Sequence, residues 1–590
     1  MPTVTLIPSI AAARGIRRSP ADLLTPLLLG IVAVIATILM TYSVRIVATS
    51  YIQTVFYDEW KFIRDLAETD GSFPRFKYLF AAHNEHVIAT YRILQWIDFK
   101  MFDLTHGLII AITLATQILN AYLFARIVCL GLRSPSMLKV LTLAAAGLAL
   151  SLAQWENLLA AFQVVFPLEL TGALATSFLV ATPIPAGAGG RSCWWIGLTA
   201  AFAMAVFSLG SGIAVPVAGV LTLAVLSRRV CVVSAAAAIG IAMIGLFLAE
   251  TWTLWLADNA ALQAPADLIR FALCLLGSPF SPDPGVAAPI GVVFLAAWAI
   301  TVGAMWRSRR AQRLPLDAGF AAITCLSLIL FAALVAVTWR RATLGFPSAF
   351  STRYATPTLF LWLCLPGFWL RGLLLSRLPQ FLQRKFALIP LACIVAAAAW
   401  SGLRSDHLAN IELFRSKVET GGYFMASGAI ADAEVSVIAA WRPTLEPALT
   451  FLRDRRLNVF SSRWAAQSPT AEQVGRLGVR GALPTCPEGS IDRSDRLERD
   501  VWAVTGWATD RHRREVQIVF ASDGAGRLLG LTRPLEPRHD NRTLGLTAAI
   551  HGFKLPIVRT AERDADVMIV ALAVPESASC SLATSPTLSP

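Results

Sequence analysis

Charge is what this chain has least of. Over 590 residues only 15% are Asp, Glu, Lys or Arg, while 56% are hydrophobic and mean hydropathy is +0.60. A soluble domain carries about a quarter charged residues, so a water-soluble globular protein is excluded, and so is a disordered one. Histidine is scarce at 7 residues, and the 9 cysteines fall at no metal-ligand spacing, so there is no Cys-His zinc site. Walker loops, Gly-rich dinucleotide turns and Ser-hydrolase elbows are missing. So are repeats, coiled coils and low-complexity tracts.

Long apolar runs are abundant. They lie near 23–43, 107–129, 138–153, 165–182, 194–210, 213–227, 230–250, 285–306, 318–338, 355–376 and 386–402. Each is near the length that crosses roughly 30 Å of hydrocarbon as helix, and together they predict about eleven spans. No small-residue cleavage site closes the first run, so residues 1–22 are expected to precede an uncleaved first helix. Arg14, Arg17 and Arg18 lie on that side, and so do Arg126, Arg133, Lys139, Arg191, Arg228, Arg229, Arg307, Arg309, Arg310, Arg313, Arg371, Arg377, Arg384 and Lys385. The positive-inside bias makes it cytoplasmic. The net charge of +13 is then a topological signal beside anionic lipid and calls for no nucleic acid.

The first outer loop, 44–106, alternates aromatic and charged residues, which predicts interfacial amphipathic helices. It holds Tyr57-Asp58-Glu59-Trp60 and His83-Asn84-Glu85-His86. Adjacent residues point different ways, so Asp58 and Glu59 are not expected to share one proton. One can act as general base while the other holds a metal or a basic residue; the alternative is a helix N-terminus with acids matched to its dipole. Asn84 could N-cap a following helix, and His83 and His86 at i, i+3 would then share a face able to hold a metal or phosphate. Packing and capping are the other reading of that pair.

Further polar groups stand at outer edges. Gln154-Trp155-Glu156-Asn157 and Gln163 read either as a sugar-binding rim or as an aromatic belt with hydrogen-bonded caps. Glu169 lies inside an apolar run and marks an internal pathway or a buried pair. Ser208-Leu209-Gly210-Ser211-Gly212 is a tight turn that also allows close backbone approach. The loop from Trp339 to Thr352 contains Arg340 and Arg341 against the charge bias and leads to Arg353-Tyr354, inviting an anionic ligand. The connection from Glu250 to Gly285, with Asp258, Asn259 and the Pro279–Pro284 breakers, predicts a short helix and a rigid turn.

After about Gly402 the composition turns soluble. Residues 404–480 are expected to form a mixed α/β segment, with helices at 406–420 and 443–456 and an extended stretch at 457–460. Residues 481–590 are expected to form a β-sandwich-like domain, from short alternating runs at 501–508, 515–521, 528–532, 553–558 and 566–573, with a turn at Asp523-Gly524. Cys486 and Cys580 bracket this part on the oxidising side, which suggests one disulfide. Asn541-Arg542-Thr543 is a glycosylation sequon by pattern.

These motifs resemble the C-type (GT-C) polytopic membrane glycosyltransferase superfamily, and more narrowly a bacterial branch of it, over roughly residues 20–400. The resemblance implies transfer of a sugar from a polyprenyl-phosphate-linked donor to a cell-envelope glycan, lipid or protein acceptor, on the periplasmic side of the bacterial inner membrane. It places the catalytic base at Asp58, with Glu59 assisting or binding metal. Substrate contacts are expected at His83, Glu85, His86, Trp155, Glu156, Asn157, Gln163, Arg353 and Tyr354; members of the superfamily differ in metal use, so a divalent metal ion is left open as cofactor, with Glu59, His83 and His86 as its ligand candidates. A polysaccharide or lipid-sugar transporter and a non-catalytic envelope assembly protein are the alternatives.

Overall fold

The first helix runs from Pro20 to Ser50, apolar enough to cross a membrane from Leu27 on, past the point where the polar loop was expected to begin. This computed structural model describes residues 20–582 other than 74, 133–134, 228, 258–263, 313–316, 374–379, 429–444, 462–468, 480, 499–500, 524–525, 536–550 and 559–566. Arg14, Arg17, Arg18, Arg133, Arg228, Asp258, Asn259, Arg313, Arg377, Gly524 and the Asn541–Thr543 sequon lie outside the described residues.

All the apolar runs are helical, but they do not all qualify as membrane spans. Among the described residues 6 helices are long and apolar enough to cross, or 7 if one bent pair is a single span, fewer than the eleven expected. The physical reasons are local. The run at 138–153 breaks at Ser151, whose hydroxyl accepts from Ala153 N, and the pieces Pro135–Ala149 and Leu152–Leu159 meet at 45°. Gly210–Leu226 and Ile389–Gly402 are short apolar helices. Ala188–Val206 opens on two glycines and Arg191, and Ala355–Leu373 contains Pro366 and Arg371. Arg371 is also no free topological charge, because it pairs with Asp317 at 3.1 Å and is buried.

In the loop after the first helix, an amphipathic helix packs its apolar face on protein. Helix Glu59–Glu68 buries Trp60, Phe62, Ile63 and Leu66 in a core shared with Val418, Leu445, Ala448, Leu449, Phe451 and Leu452 of the later soluble part. Each such side chain contributes roughly 1.5–3 kcal/mol on burial. Helices Ser405–Ala426 and Leu445–Asp454 therefore roof the loop. Among the described residues 404–480 carry helices and a single β-bridge residue, Val479, but no strand. Leu457–Phe460 is not extended: Asn458–Phe460 closes as a 3-10 turn. Buried Asn458 explains the turn, since its amide donates to Gln53 O (2.7 Å) and Leu104 O (2.6 Å) and accepts from Val55 N (3.2 Å).

The C-terminal part is β-rich. Strands β3 (Gly489–Glu498), β4 (Val501–Ala508) and β7 (Gly552–Val558) form one antiparallel sheet. Strands β5 (Ile518–Ser522), β6 (Leu528–Thr532), β8 (Met568–Leu572) and β9 (Cys580–Leu582) form another, in the order β6-β5-β8-β9. The first two strands of the chain, β1 (Ala82–His83) and β2 (His86–Val87), belong to the loop described below. Val519, Ala521, Ile569 and Ala571 face Val504, Phe553 and Leu555 of the first sheet. Their neighbours Ile518, Phe520, Met568, Val570 and Leu572 face Tyr423, Val459, Val474 and Leu477, as the two-residue period requires. Cys486 and Cys580 are disulfide-bonded, with Cα atoms 4.9 Å apart.

Replacing Asn458 with Ala leaves the groups it bridges without partners in a buried site, a cost of about 1–3 kcal/mol. We expect a lower melting temperature and faster proteolytic cleavage near 445–460; an unchanged digestion pattern contradicts the bridging role.

Candidate functional site

Residues from several of the sequence motifs converge on one cleft at the end of the helical bundle near Ser50 and Gly107. It encloses roughly 770 Å³, part of it open to solvent, and its lining includes Asp58, His83, Glu85, His86, Gln163, Arg353 and Tyr354. Asn84, Ser211, Arg340 and Arg341 complete its polar surface.

The acid pair splits. Asp58 is the N-cap of helix Glu59–Glu68 but makes no side-chain capping bond. Its carboxyl instead faces His83 Nε2 at 3.7 Å and is half-exposed. Burial, the largest influence, pushes the Asp58 pKa up, but the neighbouring His83, the charge of Arg353 and the Asn84 side chain together hold it below the ordinary carboxylate value. Glu59 turns the other way and is 0% exposed. It accepts from Tyr91 Oη at 2.7 Å and from Phe56 N at 3.1 Å, with His106 Nε2 at 3.6 Å. The bond to Phe56 N fastens the turn in which Tyr57 takes a left-handed φ of 48°, a conformation a tyrosine seldom adopts. Glu59 thus aims Asp58 and does not line the cleft.

The His-Asn-Glu-His motif is a hairpin and not a helix start. His83 pairs with His86 across β1 and β2, with Asn84 at φ 50° in the turn. The helix begins only at Ala89, after Ile88, so Asn84 caps nothing and the imidazoles do not share a helical face. Buried Arg92 and half-buried Lys61 hold the incoming strand: Arg92 donates to Leu79 O and Ala81 O, and Lys61 to Ala82 O. His86 Nδ1 accepts from Gly210 N at 3.0 Å, leaving the ring proton on Nε2, 3.6 Å from Glu85 Oε1. Burial drives the His86 pKa down against the pull of Glu85. Arg341 donates to Glu85 at 2.8 Å. Burial raises the Glu85 pKa, and the charges of His86 and Arg341 outweigh it, so the carboxyl sits below its ordinary value.

Glu156 and Asn157 were expected to touch sugar, but they hold the arginine turn. Glu156 Oε2 accepts from Ser351 Oγ (2.9 Å), Thr352 Oγ1 (2.9 Å) and Arg353 N (3.0 Å). Asn157 Nδ2 donates to Arg353 O and to Thr356 Oγ1, both at 2.7 Å. Trp155 is buried against Phe414. None of the three lines the cleft. Their work leaves the Arg353 side chain in it, with the guanidinium 5.5 Å from the Tyr354 ring.

The expected metal ligands are also separated. Glu59 bonds in another network, His83 faces Asp58 and His86 is occupied by Gly210. Among the described residues no three His, Cys, Asp or Glu side chains group so as to hold a metal ion. Several buried polar atoms on lining residues do lack partners: His83 Nε2, Gln163 Oε1 and Arg353 Nε. Such atoms are costly unless a ligand or water serves them. Arg340 and Arg341, whose break in the charge bias invited an anionic ligand, line the cleft, and Ser211 of the 208–212 turn joins them.

Comparison with protein-family models, with curated proteins and with solved structures finds no match.

The depressed His86 pKa has a definite sign. The folded chain binds fewer protons here than the unfolded chain does below the ordinary value of 6.5, so the stabilisation is present above that value and is lost as pH falls below it. His86→Gln should flatten the fall in melting temperature between neutral pH and pH 5; a slope unchanged from the parent contradicts the assignment. Glu156→Ala strands three donors and should cost about 1–3 kcal/mol or more of stability, while Glu156→Gln, which keeps one acceptor oxygen, costs less. Equal melting of the two variants and the parent removes the turn-holding role.

Proposed function

We propose that the protein is a multi-pass glycosyltransferase of a bacterial inner membrane, resembling the GT-C superfamily. It transfers a sugar from a polyprenyl-phosphate-linked donor to a glycan, lipid or protein acceptor of the cell envelope, with the cleft facing the periplasm. The observation that carries the reading is charge and grease side by side in two neighbouring recesses. A carboxylate, Asp58, and the guanidinium of Arg353 share a cleft with Arg340 and Arg341. An apolar cavity lined by Leu275, Leu330, Ala333, Leu334 and Leu361 adjoins it, and Val337 and Tyr354 line both. That combination suits a ligand with an anionic head and an isoprenoid tail.

In this reading the acceptor hydroxyl gives its proton to Asp58 as its oxygen bonds to the anomeric carbon. The bond from that carbon to the phosphate oxygen breaks, and the phosphate leaves with the electron pair. Arg353 offsets its charge by bidentate hydrogen bonding. Asp58 has a low pKa and is a weak base towards an ordinary alcohol. Proton transfer therefore belongs late, when bonding to the sugar has acidified the hydroxyl. No step uses a metal, since Glu59, His83 and His86 do not converge.

Incubating the purified protein with isotope-labelled lipid-linked sugar and envelope acceptor tests this. Labelled acceptor should form, and Asp58→Asn should cut the rate about 100-fold or more at unchanged expression. Translocation of the label without product supports the transporter alternative, and neither outcome supports an assembly role.

A further inference from the structure

The proposed reaction leaves one buried imidazole on the cleft wall without a task. His83 is 4% exposed and lines the cleft, and its Nε2 makes no hydrogen bond. Asp58 Oδ1 stands 3.7 Å from that nitrogen. The gap is too long for a direct bond and too short for an atom placed in line between the two, but an atom set to one side can lie about 2.8 Å from both. A buried ring nitrogen is costly unless such an atom serves it.

One side chain reaches both ends of the gap. Tyr91 is 0% exposed. Its hydroxyl donates to Glu59 at 2.7 Å, and Glu59 also accepts from Phe56 N, fastening the turn that presents Asp58. The Tyr91 ring meets Phe162 edge-on with centroids 5.0 Å apart, and Phe162 in turn lies against the His83 ring at 5.5 Å. The hairpin secures the backbone: His83 pairs with His86, and Lys61 donates to Ala82 O at 2.9 Å. The same buried hub therefore aims the carboxylate and backs the imidazole.

A carboxylate offers acceptors only, so the nitrogen that complements it carries N–H. The gap then presents one acceptor and one donor to a single atom. A hydroxyl oxygen satisfies both, since its proton goes to Asp58 and one of its two lone pairs takes the His83 N–H, leaving the other lone pair free. A carboxamide nitrogen is a donor only and has nothing to offer His83.

We propose that Asp58 and His83 clamp the attacking atom of the acceptor, and that this atom is an alcohol oxygen and not a carboxamide nitrogen. This rests on the glycosyltransferase reading and narrows its acceptor class. His83 keeps its proton throughout and holds the oxygen in place. Asp58 takes the hydroxyl proton, the free lone pair bonds to the anomeric carbon, and the phosphate leaves toward Arg353 with the electron pair of the broken bond.

The test uses the full-length protein in nanodiscs, with labelled farnesyl phosphates bearing glucose, galactose, mannose or arabinose as donors. Methyl glycosides of the same sugars and an asparagine-containing peptide serve as acceptors. At least one glycoside should become labelled and the peptide should not. His83→Phe, which keeps a flat ring but no N–H, should raise the KM for that glycoside about tenfold and leave donor affinity unchanged. His83→Gln, whose amide nitrogen can reach the Nε2 position, should recover much of the loss. Unchanged kinetics in His83→Phe, equal loss in the two variants, loss of donor affinity, or labelling of the peptide as fast as of the glycosides overturns the clamp, while product formed by the parent keeps the glycosyltransferase reading. If the parent forms no product from any donor, both fail.

Discussion

A carboxylate taken from water must be given hydrogen-bond donors or positive charge, and that demand organises this end of the molecule. Glu59, Glu85 and Glu156 meet it inside the protein: Glu59 with Tyr91 and Phe56 N, Glu85 with Arg341, and Glu156 with Ser351, Thr352 and Arg353 N. Each ties together segments distant in the chain, from 32 residues apart for Glu59 and Tyr91 to 256 for Glu85 and Arg341. Asp58 differs. It remains half-exposed in the cleft, balanced by His83 and Arg353. The structural acids make the walls, and the remaining acid has an open face.

The same division explains why the soluble part matters to the cleft. Helices Ser405–Ala426 and Leu445–Asp454 share a core with helix Glu59–Glu68, whose N-cap is Asp58. Asn458 then bonds residues on both sides of the loop, at 53–55 and 104. The β-rich end adds a second contact layer through Tyr423 and Val459. Positioning of the acid thus reaches from the first membrane helix to the far end of the chain. A cleft lined by both charged and apolar side chains, beside a small apolar cavity, is its product, and an amphiphile is the ligand class it favours.

Composition and periodicity made the helical bundle, the β-rich end and the converging motifs legible, but not how the motifs are used. Asp58, His83, Gln163 and Arg353 meet as their polar placement suggested. Glu156 and Asn157 stood out for the same reason, yet their polarity serves the Arg353 turn, a contact nearly two hundred residues away in sequence that no local pattern encodes. The His83–His86 spacing fits a helical i, i+3 pair and a tight hairpin equally, and the left-handed φ at Asn84 decides for the hairpin. Strand β3 was missed because Ser490, Asp492, Arg493, Asp495 and Arg496 give it no apolar alternation, as befits an edge strand. The apolar runs overstated the span count because hydropathy does not register the break at Ser151 or the short helix at 210–226.

The central claim is that one amphiphilic ligand spans the Asp58–Arg353 cleft and the adjoining apolar cavity. The most direct measurement is an experimental structure with a polyprenyl phosphate bound. The account predicts the phosphate within hydrogen-bond distance of Arg353 and on the Asp58 side of the cleft, with the first isoprene units between Leu275, Leu330 and Leu361. A lipid bound elsewhere on the bundle, with both recesses empty, would contradict it.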